Sequence, residues 1–147
     1  MGSTYHSLCY HWVCSTKNRR RFIGANWRPG FHQYLGGTVR GLEGVLLKAG
    51  GVEDHVHLLI GLKPVHRISD FSRELKKASS GWVAERHVRE FQWQEGYSIF
   101  SEGSWDLDGL KKYIDGQEEH HRKQSFEDEL KALLEDHGVQ YDPRYLL

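Results

Sequence analysis

The stretch His55-Val56-His57-Leu58-Leu59-Ile60-Gly61-Leu62 decides the fold. On a β-strand alternate side chains share a face, so His55 and His57 point one way while Val56, Leu58 and Ile60 point the other. Upstream, Val45–Ala49 is a second apolar run, and Gly50-Gly51-Val52-Glu53-Asp54 joins the two. A short link containing glycine predicts an antiparallel hairpin. Further upstream, Phe31, Tyr34, Leu35, Thr38, Val39 and Leu42 recur at helical spacing, although Gly36, Gly37 and Gly41 weaken that helix by about 1 kcal/mol each relative to Ala. Residues 5–15 alternate, with Leu8, Tyr10, Trp12 and Cys14 on one face of a half-buried strand. Residues 17–21, Lys-Asn-Arg-Arg-Arg, read as a basic loop.

Downstream, Ser69 is placed to cap a helix with Asp70 and Glu74 early in it and an apolar stripe of Phe71, Leu75, Ala78, Trp82 and Val83. Phe91, Trp93, Tyr97 and Ile99 alternate as a fourth strand, with Gly96 as a bulge. The order strand, helix, strand, strand, helix, strand predicts an α+β fold: a ferredoxin-like antiparallel sheet with helices on one face. Two C-terminal helices follow, at 107–120 and 126–137. Ser125 with Asp128 resembles a capping box, and Gly138 stops the second helix.

At 147 residues the chain is one domain, 1–147. Hydrophobic residues at 38% and charged residues at 27% exclude a disordered or collagen-like chain. No apolar run approaches the roughly 20 residues of a membrane-spanning helix. His6 and His11 interrupt the N-terminal apolar stretch where a signal peptide would be continuous, so a cytoplasmic protein is expected. The net charge is zero, but residues 1–100 carry +6 and residues 101–147 carry −6. That polarity excludes a uniformly basic nucleic-acid binder and leaves room for a locally basic one. Cys9 and Cys14 fall on opposite strand faces, which disfavours a disulfide between them and fits a reducing compartment.

Three groups of residues could carry chemistry. His55 and His57, ~7 Å apart along one strand face, can converge on a divalent cation. Spacing alone favours the plainer reading of a strand whose exposed face happens to bear two histidines, and a catalytic ion would need a third ligand from elsewhere. Tyr113 and Gln117 lie four apart on one helical face. The amide oxygen suits a hard cation and the phenol can act as a nucleophile, while the plainer reading is a tyrosine anchoring an amphipathic helix. Gly116 between them weakens the helix and allows a bend. Lys17, Arg19, Arg20, Arg21 and Arg28 form one basic group, and Arg73, Lys76, Lys77, Arg86 and Arg89 another; each suits a phosphate backbone and equally a solvated charged face. His120 and His121, adjacent on a helix, diverge by about 100° and make a poor bidentate pair.

Taken together, HVHLLI at 55–60, YIDGQ at 113–117, the tail from HHRKQSFEDELKALLEDHGVQYDPRYL and the intervening segments resemble the single-tyrosine HUH transposases of the insertion-sequence-200 type, and the resemblance covers nearly the whole chain. It implies that His55, His57 and Gln117 ligate a divalent metal, Mg²⁺ or Mn²⁺, and that Tyr113, carried by the C-terminal helices, is the nucleophile. It implies a substrate of single-stranded DNA with hairpin-bearing transposon ends, cleaved through a 5′-phosphotyrosine and rejoined. It also implies a homodimer in which the tyrosine helix packs against the partner, and it assigns hairpin contacts to a basic surface, for which Lys17, Arg19, Arg20, Arg21, Arg73, Lys76 and Lys77 are the candidates. This chain departs from the family's GYGAFSVS with Gly96-Tyr97-Ser98-Ile99-Phe100-Ser101-Glu102-Gly103. The alternatives are a domesticated REP-associated tyrosine transposase and a non-catalytic single-strand-binding ferredoxin-like domain.

Overall fold

The computed structural model describes residues 2–146. Its strands are β1 (Leu8–Ser15), β2 (Val45–Val52), β3 (His55–Leu62) and β4 (Ser98–Glu102). They form one sheet in the order β2-β3-β1-β4, with every neighbouring pair antiparallel. Helix α1 (Arg28–Gly41) joins β1 to β2, and α2 (Ile68–Arg86) joins β3 to β4. This is the split βαβ arrangement that the element order predicts. Three further helices follow: α3 (Leu107–Asp115), the single turn α4 (Gln117–His120) and α5 (Phe126–Asp136).

The two faces of the sheet have different covers. Trp12 and Cys14 of β1 and Val56, Leu58 and Ile60 of β3 share the larger core with Phe31, Leu35 and Val39 of α1 and Phe71, Leu75 and Val83 of α2. The opposite face presents His11, Val13, His55 and His57. There a smaller apolar cluster joins Val13 and Phe100 to Phe126, Leu130 and Leu134 of α5 and to Leu146. Gly50 of β2 makes this second cover possible. A Cβ at Gly50 would collide with the carbonyl oxygen of Ile114, so only glycine lets α3 come this close to the sheet.

Several local expectations change. The hairpin turn is only Glu53-Asp54, because Gly50, Gly51 and Val52 pair with His57, Val56 and His55 as part of β2. Helix α1 starts at Arg28 rather than Phe31, since Pro29 at its first turn has a preset φ. Ser69 does not cap α2; the capping position is Arg67, and no side chain fills the role. The fourth strand begins at Ser98, not Phe91. Phe91 and Trp93 are buried from a loop, where Trp93 donates its indole N–H to Ser79 Oγ at 2.9 Å, packs edge-on against Trp12 and pairs with the sheet's backbone through an isolated bridge to Thr16. Their alternation reflects core filling, and Gly96 (φ +83°) turns the chain before pairing with β1 begins. The helix expected at 107–120 breaks at Gly116 into α3 and α4. Ser125 does cap α5, accepting from Asp128 N–H at 3.2 Å, and Gly138 (φ +66°) follows its end. Cys9 and Cys14 are both free thiols. No helix among the described residues is long and apolar enough to cross a membrane.

Candidate metal and nucleophile site

The site forms where the polar face of β1 and β3 meets α3, α4 and α5. His55 and His57 are brought to one face by strand alternation and are both 0% exposed. In register, Val13 faces His57 across β1 and Gly50 faces it across β2. Helix α5 owes its placement to Phe126, Leu130 and Leu134, which seat it on this face, and Glu129 lies within the same stripe. A carboxylate buried in an apolar stripe needs partners, and this one has them on both oxygens.

Glu129 Oε1 lies 3.0 Å from His121 Nε2, 3.1 Å from His57 Nε2 and 3.3 Å from His55 Nε2. Glu129 Oε2 accepts the hydroxyl of Tyr113 and, at 3.0 Å, the amide N–H of Gln117; His120 Nε2 is 3.4 Å away. Gln117 Oε1 is 3.0 Å from His55 Nε2 and 2.9 Å from His121 Nε2. Ligand atoms of His55, His57, His121 and Glu129 all lie within 4.8 Å of one another. The far ring nitrogens are held as well: His55 Nδ1 by Asp54 Oδ1 at 2.7 Å, His57 Nδ1 by His11 Nε2 at 2.7 Å, and His121 Nδ1 by the Gln124 carbonyl at 2.8 Å.

The electrostatics follow from burial set against these partners. Burial by itself would lower the His55 pKa, but its bonds to Asp54 and Glu129 outweigh that and push it up to about 9. Burial dominates at His57, which falls to about 4, and at His11, which falls to about 3 with the His57 ring adding to the effect. Burial would raise the Glu129 carboxyl, yet the imidazoles of His121, His55 and His57 hold it far below the usual carboxylate range. Burial and then the Glu129 carboxylate drive the Tyr113 phenol well above its ordinary value, so Tyr113 keeps its proton here.

Tyr113, His55, His57 and Gln117, which the sequence singles out, therefore meet within one chain. The break at Gly116 does not separate Tyr113 from Gln117, because both reach Glu129 Oε2. The basic candidates divide. Arg19 and Arg21 line a cavity of about 360 Å³ whose inner wall includes Asp54 and His121. Lys17 and Arg20 are exposed on the same loop. On α2, Arg73 faces Asp70 and Glu74, Lys76 donates to the carbonyls of Gln94 and Gly96, and Lys77 lines a separate groove between α1 and α2.

Sequence reading misses His11, His121 and Glu129. Glu129 carries a legible signal, since it falls three residues after Phe126 and one before Leu130 on the buried side of an amphipathic helix. The divergence of His120 and His121 is real, but the two oxygens of one carboxylate lie between them. Nothing in the spacing of His11 marks it.

The fold is a ferredoxin-like antiparallel sheet whose paired strand histidines are met by an amide and a tyrosine from later helices. Residues 4–117 match the family described as "Transposase IS200 like", and the chain belongs to that family and is a transposase. It is 28% identical over 121 residues to the ISDra2 transposase TnpA of Deinococcus radiodurans, covering 76% of this chain and 85% of that one. A crystal structure of a candidate transposase from Deinococcus radiodurans R1 superposes with a TM-score of 0.65 at 25% identity, covering 80% of this chain and 96% of the other. A REP-associated tyrosine transposase bound to a REP hairpin shares the fold, with a TM-score of 0.56 at 15% identity over 78% of this chain and 70% of that one.

Proposed function

We propose that this transposase cleaves and rejoins single-stranded DNA at hairpin-bearing element ends, with Tyr113 as the nucleophile and a divalent ion, Mg²⁺ or Mn²⁺, held by His55, His57 and Gln117. The observation that carries this reading is the approach of Tyr113 and Gln117 to the paired strand histidines, four side chains from β3, α3 and α4 around one carboxylate. The donor set fits an ion: neutral imidazole, amide oxygen and carboxylate are all divalent-metal ligands. When bound, such an ion polarises a phosphate oxygen and stabilises charge on the leaving group.

The chain's own residues do the rest. The Tyr113 phenol oxygen forms a bond to phosphorus as the bond to the 3′ oxygen breaks. The phenolic proton is lost and the departing 3′ oxygen gains one, leaving a 5′-phosphotyrosine and a free 3′-hydroxyl. Attack by another 3′-hydroxyl reverses the step and joins strands without an external energy source. One nucleophilic tyrosine per chain makes two cleavages the work of a homodimer. Arg19 and Arg21, at the cavity beside His121, supply cations where a phosphate backbone would enter, with Lys17 and Arg20 next to them and Arg73, Lys76 and Lys77 as a second basic group. We assign the reaction to the cytoplasm.

The test is incubation of the purified protein with labelled single-stranded oligonucleotides bearing the hairpin ends that flank its gene, followed by a denaturing gel. A covalent adduct is expected with Mg²⁺ or Mn²⁺ and none with EDTA. Tyr113→Phe is expected to bind the hairpin and form no adduct. Adduct formation by Tyr113→Phe at the wild-type level would remove the nucleophile assignment, and hairpin binding by the wild type with no adduct under any metal would favour a non-catalytic binder.

A further inference from the structure

Hydrogen-bond bookkeeping in this cluster has no neutral solution. His121 Nδ1 faces the Gln124 carbonyl, which can only accept, so Nδ1 carries the proton. A neutral His121 therefore presents a lone pair at Nε2, and that lone pair faces two more acceptors, Gln117 Oε1 at 2.9 Å and Glu129 Oε1 at 3.0 Å. His55 repeats the pattern: Nδ1 faces the Asp54 carboxylate, and Nε2 faces Gln117 Oε1 at 3.0 Å and Glu129 Oε1 at 3.3 Å. His57 adds a third Nε2 to the same carboxylate oxygen at 3.1 Å. Lone pairs converging from His55 and His121, with an amide oxygen and a carboxylate, describe a cation's surroundings, and His57, whose Nδ1 can accept from His11 Nε2, brings a third ring nitrogen to the same point. Protonating every ring instead would crowd several imidazolium charges into a dry interior. Each ring is oriented through its far nitrogen, as metal-bound histidines are.

We propose that His121 and Glu129 are ligands alongside His55, His57 and Gln117, and that this three-imidazole set selects an imidazole-accepting divalent ion such as Mn²⁺ over Mg²⁺. The inference rests on the reading above that the histidine pair and Gln117 face an ion. Mg²⁺ prefers an octahedron of oxygens and sheds water reluctantly, whereas this set offers three nitrogens, two from fully buried rings and one from His121 at the cavity edge. His121 and Glu129 lie beyond the residues 4–117 that match the family, so the ligand set extends into a segment this chain supplies outside that match. Through them the ion ties α4 and α5 to the sheet.

The experiment uses the full chain, stripped of metal with EDTA and desalted, with free Mn²⁺ followed by electron paramagnetic resonance during titration. Wild type is expected to take up one Mn²⁺ per chain at this site and to retain it against a Mg²⁺ excess of about a hundredfold. His121→Asn and Glu129→Gln are each expected to weaken uptake about tenfold or more, as is His55→Asn. Circular dichroism and melting in EDTA check that each variant folds. Should Glu129→Gln fail to fold, His121→Asn decides, because that ring sits at the edge of the cluster. Wild-type uptake by His121→Asn together with loss in His55→Asn would overturn this inference and leave the histidine-pair site standing. Displacement of Mn²⁺ by equimolar Mg²⁺ would overturn the selectivity. No Mn²⁺ uptake by wild type, or unchanged uptake in His55→Asn, would overturn both readings.

Discussion

The two faces of the sheet are built from the same strands and work on opposite principles. Under α1 and α2 the contacts are apolar and aromatic: Trp12, Phe31, Leu58 and Leu75 are all 0% exposed in one continuous core. Under α3–α5 the buried groups are His11, His55, His57, Gln117 and Glu129, with only a modest apolar cluster beside them. Burial on the first face stabilises without further conditions, by about 25 cal/mol per Å² of apolar surface. Burial on the second costs free energy for each polar atom left without a partner, as His11 Nδ1 is. Stability is concentrated on one side and the candidate functional groups on the other. Strand alternation lets a single strand, β3, serve both.

Leu58→Ala would break the apolar face, with an expected loss of about 2–5 kcal/mol in urea unfolding because it leaves a cavity between sheet and helices. A loss below about 1 kcal/mol would show that this face is not the main store of stability. Gly50→Ala attacks the other cover, since the new methyl group must push α3 away from β2. The expected destabilisation is about 1–3 kcal/mol. Adduct formation should fall by roughly a hundredfold as Tyr113 is displaced. Equal activity in this variant would mean that α3 need not sit on its own sheet during catalysis.

Ser125→Ala removes the cap of α5 and should cost about 1 kcal/mol. The loss should appear in hydrogen exchange as faster amide exchange across 126–136 while α1 and α2 stay protected. The last effect concerns pH and disappears above about pH 7. Burial, and then the Arg28 guanidinium, lower the His32 pKa to about 4. In the unfolded chain it titrates near 6.5, so below that pH the unfolded state binds the extra proton and stability falls. The slope is at most about 1.4 kcal/mol per pH unit between about pH 6.5 and 4. His32→Gln should flatten the melting temperature over that range, and an unchanged profile would assign the pH dependence to the histidines of the other face.

How much was legible in the chain depended on the range of the interaction. The period-2 alternation of β1 and β3, the Ser125 cap and the Gly138 stop are set by neighbours a few residues apart, and they appear where the pattern puts them. Phe91 and Trp93 imitate a strand because core filling can also alternate. Gly116 announces a weak point in the helix, but how the chain continues through it is decided by Gln117 and Glu129 meeting across space.

The sequence by itself determined the order of strands and helices along the chain, the face that His55 and His57 share, and the candidacy of Tyr113 and Gln117, because strand and helix periodicity are local properties of the backbone. Only the tertiary structure decided that Glu129 stands at the centre, that His121 joins it and that His11 orients His57. Those contacts join residues 8, 72 and 46 positions apart, respectively, and they exist because apolar packing of α5 leaves a buried charge that must find its partners in whatever the sheet presents.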